Sequence, residues 1–134
     1  MKTGKFFSIV GVMTVLVLGI GGSVWAQNRE LLTVMREMGQ AFSALSRPLN
    51  QGQLTGREAE VAARFVGLVQ EARGVPPKGL PQESVERFLA LMGELEAEAL
   101  ALEESLLRQD LDAARLHLRR LGQLRSEGHG EFKN

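Results

Sequence analysis

The stretch VERFLALMGELEAEALALEESLL, residues 85–107, decides the fold class. Its apolar residues recur in alternating steps of three and four positions, which is the spacing of one face of an α-helix. The positions on that face are Val85, Phe88, Met92, Leu95, Ala99, Leu102 and Leu106. The segment therefore predicts a long amphipathic helix that buries one face.

A segment with the same period begins just after residue 30. Its apolar positions are Leu31, Met35, Met38, Phe42, Leu45 and Leu49. The residue before a proline avoids helical geometry, so we expect this first helix to end near Arg47-Pro48. Residues 50–53, Asn-Gln-Gly-Gln, then predict a loop.

The region between these two helices contains start and stop signals for a third. Thr55 and Glu58 have the spacing of a capping box, in which the threonine oxygen and the glutamate each bond an otherwise unpaired backbone amide. The helix is expected to stop by Gly74, and its apolar face is Val61, Phe65, Leu68 and Ala72. The proline-rich residues that follow predict a connection that becomes helical only at Pro81, which suits a first helical turn.

The last helix is expected to begin near Asp110 or Asp112, either of which could cap it. Its face consists of Leu111, Ala114, Leu118, Leu121, Arg125, Gly128 and Phe132. The apolar character of this face fails only in the last two turns. Gly128 and Gly130 each cost roughly 1 kcal/mol relative to alanine inside a helix, so a frayed end is one interpretation of these turns.

Four amphipathic helices joined by short or proline-rich connections predict an all-α fold. An antiparallel up-down-up-down four-helix bundle lets each helix bury its apolar stripe in a shared core. We expect a single domain over residues 27–134, which is large enough to fold by packing alone. The chain has no cysteine, so neither disulfides nor thiol redox chemistry is expected.

Residues 1–26 are expected to form a signal peptide rather than part of the bundle. The segment has a positive start, an apolar run over residues 6–20, and Val24-Trp25-Ala26 as a cleavage sequence. Cleavage after Ala26 would place the mature chain in the periplasm with no stable membrane span. The alternative is an uncleaved anchor, although a helix needs about 20 apolar residues to cross a bilayer.

Charge and motif content exclude several functions. Basic and acidic residues each number 16, and two of the basic ones lie in the predicted leader, so the mature chain has a net charge of about −2. There is no basic patch and no aromatic platform for bases, so nucleic-acid binding is not expected. The chain shows no Ser-His-Asp spacing, no zinc motif and no phosphate loop, and we do not expect an enzyme.

Two groups of polar residues have ordinary interpretations. Glu103, Glu104, Asp110 and Asp112 could bind a cation, but a solvated helix surface explains them more simply. His117 lies one position off the apolar face of the last helix and predicts a partly exposed surface histidine.

The antiparallel topology brings the two ends of the mature chain together. Met35 and His129 should each lie on the order of 10 Å from the same end of the bundle, given a rise of 1.5 Å per residue. A thioether and an imidazole could therefore face each other across the core, and this pair suits haem iron. The alternative for Met35 and Met38 is ordinary core packing, because methionine fills irregular gaps well.

Two stretches resemble the class II cytochromes c, the cytochrome c-prime family. Residues 110–133, which end in Arg125-Ser-Glu-Gly-His129-Gly-Glu-Phe132-Lys133, are similar to the last helix of that family, which carries CxxCH, then two residues, then an aromatic and a basic residue. Val34-Met35-Arg-Glu-Met38-Gly39 resembles the family's first helix. Arg125 and Gly128 stand where the two cysteines should be, so covalent haem attachment is impossible.

A related pattern is that of the soluble b-type four-helix cytochrome of the periplasm. That protein holds haem without covalent bonds, through a first-helix methionine and a last-helix histidine, with an arginine four residues before the histidine and an aromatic residue three after it. Arg125, His129 and Phe132 match this pattern. The resemblance implies His129 and either Met35 or Met38 as axial ligands.

The resemblance has further implications for the site and its partners. Phe132 would pack near a porphyrin, and Arg125 or Lys133 could approach a propionate. A non-covalent haem b would imply electron transfer or binding of a small ligand, a redox partner protein and, by analogy, a homodimer. The alternative is a haem-free bundle that has lost its cofactor and serves as a periplasmic interaction or sensor module.

Overall fold

The computed structural model describes residues 29–132, which form four α-helices and no strand. The helices are α1 (Leu31–Asn50), α2 (Glu58–Arg73), α3 (Gln82–Leu107) and α4 (Leu111–Phe132). The predicted all-α four-helix bundle is confirmed. The predicted signal peptide, residues 1–26, and Lys133 lie outside the described residues.

Contacts between neighbouring helices show that each pair runs antiparallel. Near one end of the α3–α4 pair, Glu98 contacts His117, and further along, Arg87 contacts Glu131. Arg29 at the start of α1 likewise reaches Glu71 at the end of α2. α3 packs extensively on both α2 and α4, whereas α1 and α4 contact each other much less.

The predicted apolar faces form the core. Ten hydrophobic side chains have no exposed surface: Val34, Leu45, Leu49, Ala62, Val69, Ala72, Ala99, Leu102, Ala114 and Leu121. Among the predicted face positions of α1, Leu31, Met35 and Phe42 are only partly buried and pack against the edge of this core. Leu31 and Met35 lie toward the end of the bundle at which α1 begins, and Phe42 lies near the middle of α1.

The prediction that the first helix ends near Arg47-Pro48 is wrong, because α1 continues through Pro48 to Asn50. Leu49 is fully buried, and a helical conformation places it in the core. The carbonyls at this end are all bonded: the Gln51 N–H donates to Arg47 O at 3.1 Å, and Arg115 Nε donates to Leu49 O at 2.8 Å. These contacts outweigh the local preference before proline and the one hydrogen bond that a proline removes.

The helix starts agree largely with the sequence signals. Glu58 accepts hydrogen bonds from the backbone N–H and the hydroxyl of Thr55, at 2.9 and 2.8 Å, which is the glutamate half of the predicted capping box. The threonine hydroxyl accepts from the N–H of Arg57 rather than from that of Glu58. Asp110 caps α4 by accepting from the N–H of Ala113 at 3.1 Å, and Pro81 lies just before α3.

None of the four helices combines the length and the apolar character that a bilayer crossing requires, a finding that concerns residues 29–132 alone.

Candidate functional site

The cavity of interest lies at the end of the bundle where α1 begins and α4 ends, which we call the pole. Its lining includes every predicted site residue that the structure describes: Met35, Met38, Arg125, His129 and Phe132. The volume of the cavity is about 40 Å³. The fold therefore brings the predicted residues of α1 and α4 to one place.

The other walls of the pole cavity come mainly from α2 and α3. These side chains are apolar: Phe65, Phe88, Leu91, Met92, Leu95 and Leu124. Met92 is the site residue that the sequence interpretation missed. Its position gave a usable signal, because it lies about ten residues from the start of α3, and in an antiparallel bundle α3 starts at the same pole as α1.

The methionine and histidine side chains that line the cavity differ in burial. Met92 is 1% exposed and Met38 is 6% exposed, so their thioethers belong to the core. Met35 is partly buried, and His129 is an exposed residue on the last turn of α4. The cavity thus has a buried thioether wall on α1 and α3 and an accessible imidazole on α4.

Arg125 reaches from α4 across the edge of the cavity to α1. Its guanidinium carbon lies 5.2 Å from the centre of the Phe42 ring, which is a cation–π arrangement. A Cβ atom added at Gly39 would lie 3.5 Å from Arg125 Nη2, and one added at Gly122 would lie 3.3 Å from Phe42 Cζ. The contact at Gly122 is tight, so glycine there leaves room for the Phe42 ring, whereas the contact at Gly39 is ordinary van der Waals contact with a flexible side chain.

The last two turns of α4 are helical and held against α3, so the structure does not show the frayed end that the glycine pair suggested. Phe132 packs edge-on against Phe88, with ring centroids 5.5 Å apart at an interplanar angle of 90°. Arg87 forms an ion pair with Glu131 in the same turn. A Cβ atom at Gly128 would lie 2.8 Å from Leu91 Cδ2, so this glycine permits close contact between the helices.

The arrangement of the pole does not fit a porphyrin. Sites for ligands of drug size occupy roughly 300–1,000 Å³, whereas this cavity measures about 40 Å³. The space on the α3 side of His129 is filled by the Phe88–Phe132 pair and by Leu91 against Gly128. A haem could enter only if these contacts were broken and the last turns of α4 moved away from α3.

The ion pairs at the start of α1 serve the fold rather than the cavity. A hydrogen bond from Arg29 lowers the pKa of Glu37, and the same bond raises the pKa of Arg29. Arg29 Nε also lies 2.7 Å from a carboxylate oxygen of Glu71. These groups join the start of α1 to α2, and none of them lines the cavity.

The remaining candidates from the sequence have structural roles. His117 is partly buried, and its Nδ1 lies 3.2 Å from a carboxylate oxygen of Glu98, which also contacts Arg120. Over residues 29–132, no three His, Cys, Asp or Glu side chains lie together as a metal site would require, so the acidic positions 103, 104, 110 and 112 form no such cluster.

The fold and the pole together describe a compact antiparallel four-helix bundle with a small, sulfur-rich cavity at one end. Comparison of the chain with protein-family models, with curated proteins and with solved structures gave no significant match.

Proposed function

We propose that this chain is a haem-free, exported four-helix bundle that binds a small ligand at the pole and acts as a periplasmic sensor or interaction module. The observation that supports this most directly is the size of the cavity, about 40 Å³, enclosed by the residues that a four-helix cytochrome would use around haem. A volume of this order accommodates a water molecule or a single ion.

The structure of the α4 terminus supports the same proposal. In the described part of the chain, Arg125 stacks on Phe42 and Phe132 packs on Phe88, so two of the residues that the resemblance assigned to a porphyrin already have protein partners. Gly128, at a position where the family has a cysteine, allows α4 to close on Leu91. These contacts stabilise a closed pole without a large cofactor.

Non-covalent haem binding is the second candidate function. The observation that favours it is that Met35, Met38, Arg125, His129 and Phe132 all line one cavity. Under this candidate, His129 and Met35 would hold the iron, and the protein would transfer electrons or bind a small gas with a redox partner.

A hemin titration of the purified protein distinguishes the two candidates. We expect no saturable Soret band at one equivalent of hemin, and a colourless product when the protein is exported from cells supplied with haem. The matched variants are His129→Ala and His117→Ala, because His117 is the other histidine and lies away from the pole cavity. A one-to-one Soret band that is lost in His129→Ala and retained in His117→Ala would overturn the haem-free proposal.

A further inference from the structure

We infer that the pole cavity is a site for a single soft monovalent cation, Cu(I), held by the thioethers of Met35, Met38 and Met92 and the imidazole of His129. This inference rests on the proposed function, because it requires a cavity without haem. It extends that function by naming the ligand class and by adding Met92 to the binding residues.

The distribution of sulfur in the molecule is the first observation. The chain has five methionines, of which Met35, Met38 and Met92 lie in the described residues. All three line the same cavity, although they come from two helices. The other buried side chains of the bundle are mainly leucine, alanine, valine and phenylalanine, so the thioethers are concentrated at the pole.

The four proposed donors line the cavity from three helices. Met35 and Met38 are separated by three positions, and residues with that spacing lie on the same face of a helix. Met92 approaches from α3, and His129 approaches from α4. A cavity of about 40 Å³ suits an ion of atomic size between these donors.

The chemistry of the donors selects the metal. Thioethers are soft ligands that favour Cu(I), and imidazole is also a good copper ligand. No carboxylate and no thiolate lines the cavity, so a divalent ion would keep its full charge in largely apolar surroundings. The Arg125 guanidinium, which also lines the cavity, repels any cation, and it repels a divalent ion more strongly than a monovalent one. A monovalent soft ion meets the smallest penalty at this site.

An incoming ion would reach the site past His129, which is the exposed residue among the four proposed ligands. His129 is exposed, whereas Met38 and Met92 are buried, so the imidazole would meet an incoming ion before the thioethers do.

The test is an anaerobic Cu(I) titration of the purified protein against a chromophoric Cu(I) chelator. We expect one equivalent to bind, with sulfur scatterers in the copper X-ray absorption spectrum. Met38→Leu, Met92→Leu and His129→Gln should each weaken binding at least tenfold, whereas His117→Gln and Leu124→Ile should not. A methionine-to-leucine change nearly conserves volume, and a denaturation curve for each variant confirms that the bundle remains folded.

Several results would overturn the inference. They are the absence of one-to-one Cu(I) binding by the folded protein, affinity unchanged in both Met→Leu variants, and Zn(II) binding as tight as Cu(I). Any of these would mean that the methionines only fill space in the core. The hemin titration tests the proposed function separately: a chain that binds neither hemin nor Cu(I) loses the metal site and remains a haem-free bundle.

Discussion

The two ends of the bundle are built on the same helical period but packed differently. At the end away from the pole, where α1 ends and α4 begins, Leu49, Leu102 and Ala114 have no exposed surface. Even Ser105 is fully buried there, with its hydroxyl donating to Ala101 O at 2.9 Å. At the pole, Met35 is only partly buried, and a cavity remains between the helices.

This difference identifies the end whose packing contributes most to stability, and it places the proposed binding site at the other end. The close-packed leucines and alanines of the far end stabilise the fold by their burial. Two clefts also lie at that end, one beside Arg115 and Gly122 and one beside Glu58 and Leu106, but neither is lined by a methionine or a histidine. Methionine side chains adapt to irregular space, so a pole lined by thioethers tolerates a small cavity. The first prediction below compares the two ends directly, and each later one compares two matched changes within one end.

The largest expected effect is a cavity in the close-packed end. Leu102→Ala should lower the free energy of unfolding by about 3 kcal/mol, because the site is fully enclosed and collapses poorly. Leu124→Ala, in the wall of the pole cavity, should cost about 1 kcal/mol. The Leu124 side chain is already partly exposed, so its truncation removes less buried apolar surface than the truncation of Leu102 does. Urea denaturation of both variants measures the difference. Equal losses would show that the two ends are packed alike.

The next effect separates the two glycines that flank His129. Gly130→Ala should raise the free energy of unfolding by up to about 1 kcal/mol, because alanine is the better helix former and no atom lies within 4 Å of the new Cβ. Gly128→Ala should lose at least about 1 kcal/mol relative to Gly130→Ala, because overpacking against Leu91 offsets the same gain.

A second substitution tests the cause of the Gly128 effect. In the background Leu91→Ala, the atom that a Cβ at position 128 would meet is absent, so Gly128→Ala should become favourable. Thermal unfolding of the four proteins in this cycle gives the coupling. If Gly128→Ala and Gly130→Ala have the same effect in the parent protein, α4 is not pressed against α3 at the pole.

Much of the fold was predictable because it depends on a simple repeat. The three-and-four spacing identified all four helices, and the signals at Glu58, Gly74 and Asp110 placed their ends closely. Pro48 was misjudged because the burial of Leu49 and the bonds made by Arg115 come from tertiary contacts, which a local rule does not include.

The site was predictable in part, for a related reason. Met35 and His129 could be placed together because the first helix begins, and the last helix ends, at the same end of an antiparallel bundle. The position of Met92 depends instead on the register of α3 against its neighbours. Gly128 suggested fraying because its cost in a helix is a local property. Its benefit depends on Leu91, which is distant in sequence, so no local pattern reveals it.

The next prediction concerns how the stability of the close-packed end depends on pH. Burial acts to raise the pKa of Glu58, but hydrogen bonds from the Thr55 hydroxyl and from backbone amides outweigh it and hold this pKa below 4.5. A carboxylate with a lowered pKa in the folded state stabilises the protein above its unfolded pKa, and this stabilisation is lost as the pH falls through the folded pKa.

Glu58→Gln should therefore cost about 1 kcal/mol at pH 7, as the loss of a helix cap typically does, and less at pH 3. Denaturation at the two pH values measures this change. The control Glu60→Gln, on an exposed residue of the same first turn, should have little effect at either pH. A cost for Glu58→Gln that does not depend on pH would show that the carboxylate is not needed in its charged form.

The smallest expected effect concerns the contacts that hold the last turn of α4 at the pole. Arg87 and Glu131 form an ion pair across α3 and α4, but Arg87 is 58% exposed, and exposed pairs contribute about 0.2–1 kcal/mol. A double-mutant cycle with Arg87→Ala and Glu131→Ala should give a coupling in that range that shrinks in high salt.

Phe132→Ala removes the contact with Phe88 instead, so its cost should be larger and independent of salt. A salt-sensitive loss in Phe132→Ala, or a coupling above that range, would mean that charge rather than aromatic packing keeps His129 at the cavity, and the pole would then open at high ionic strength.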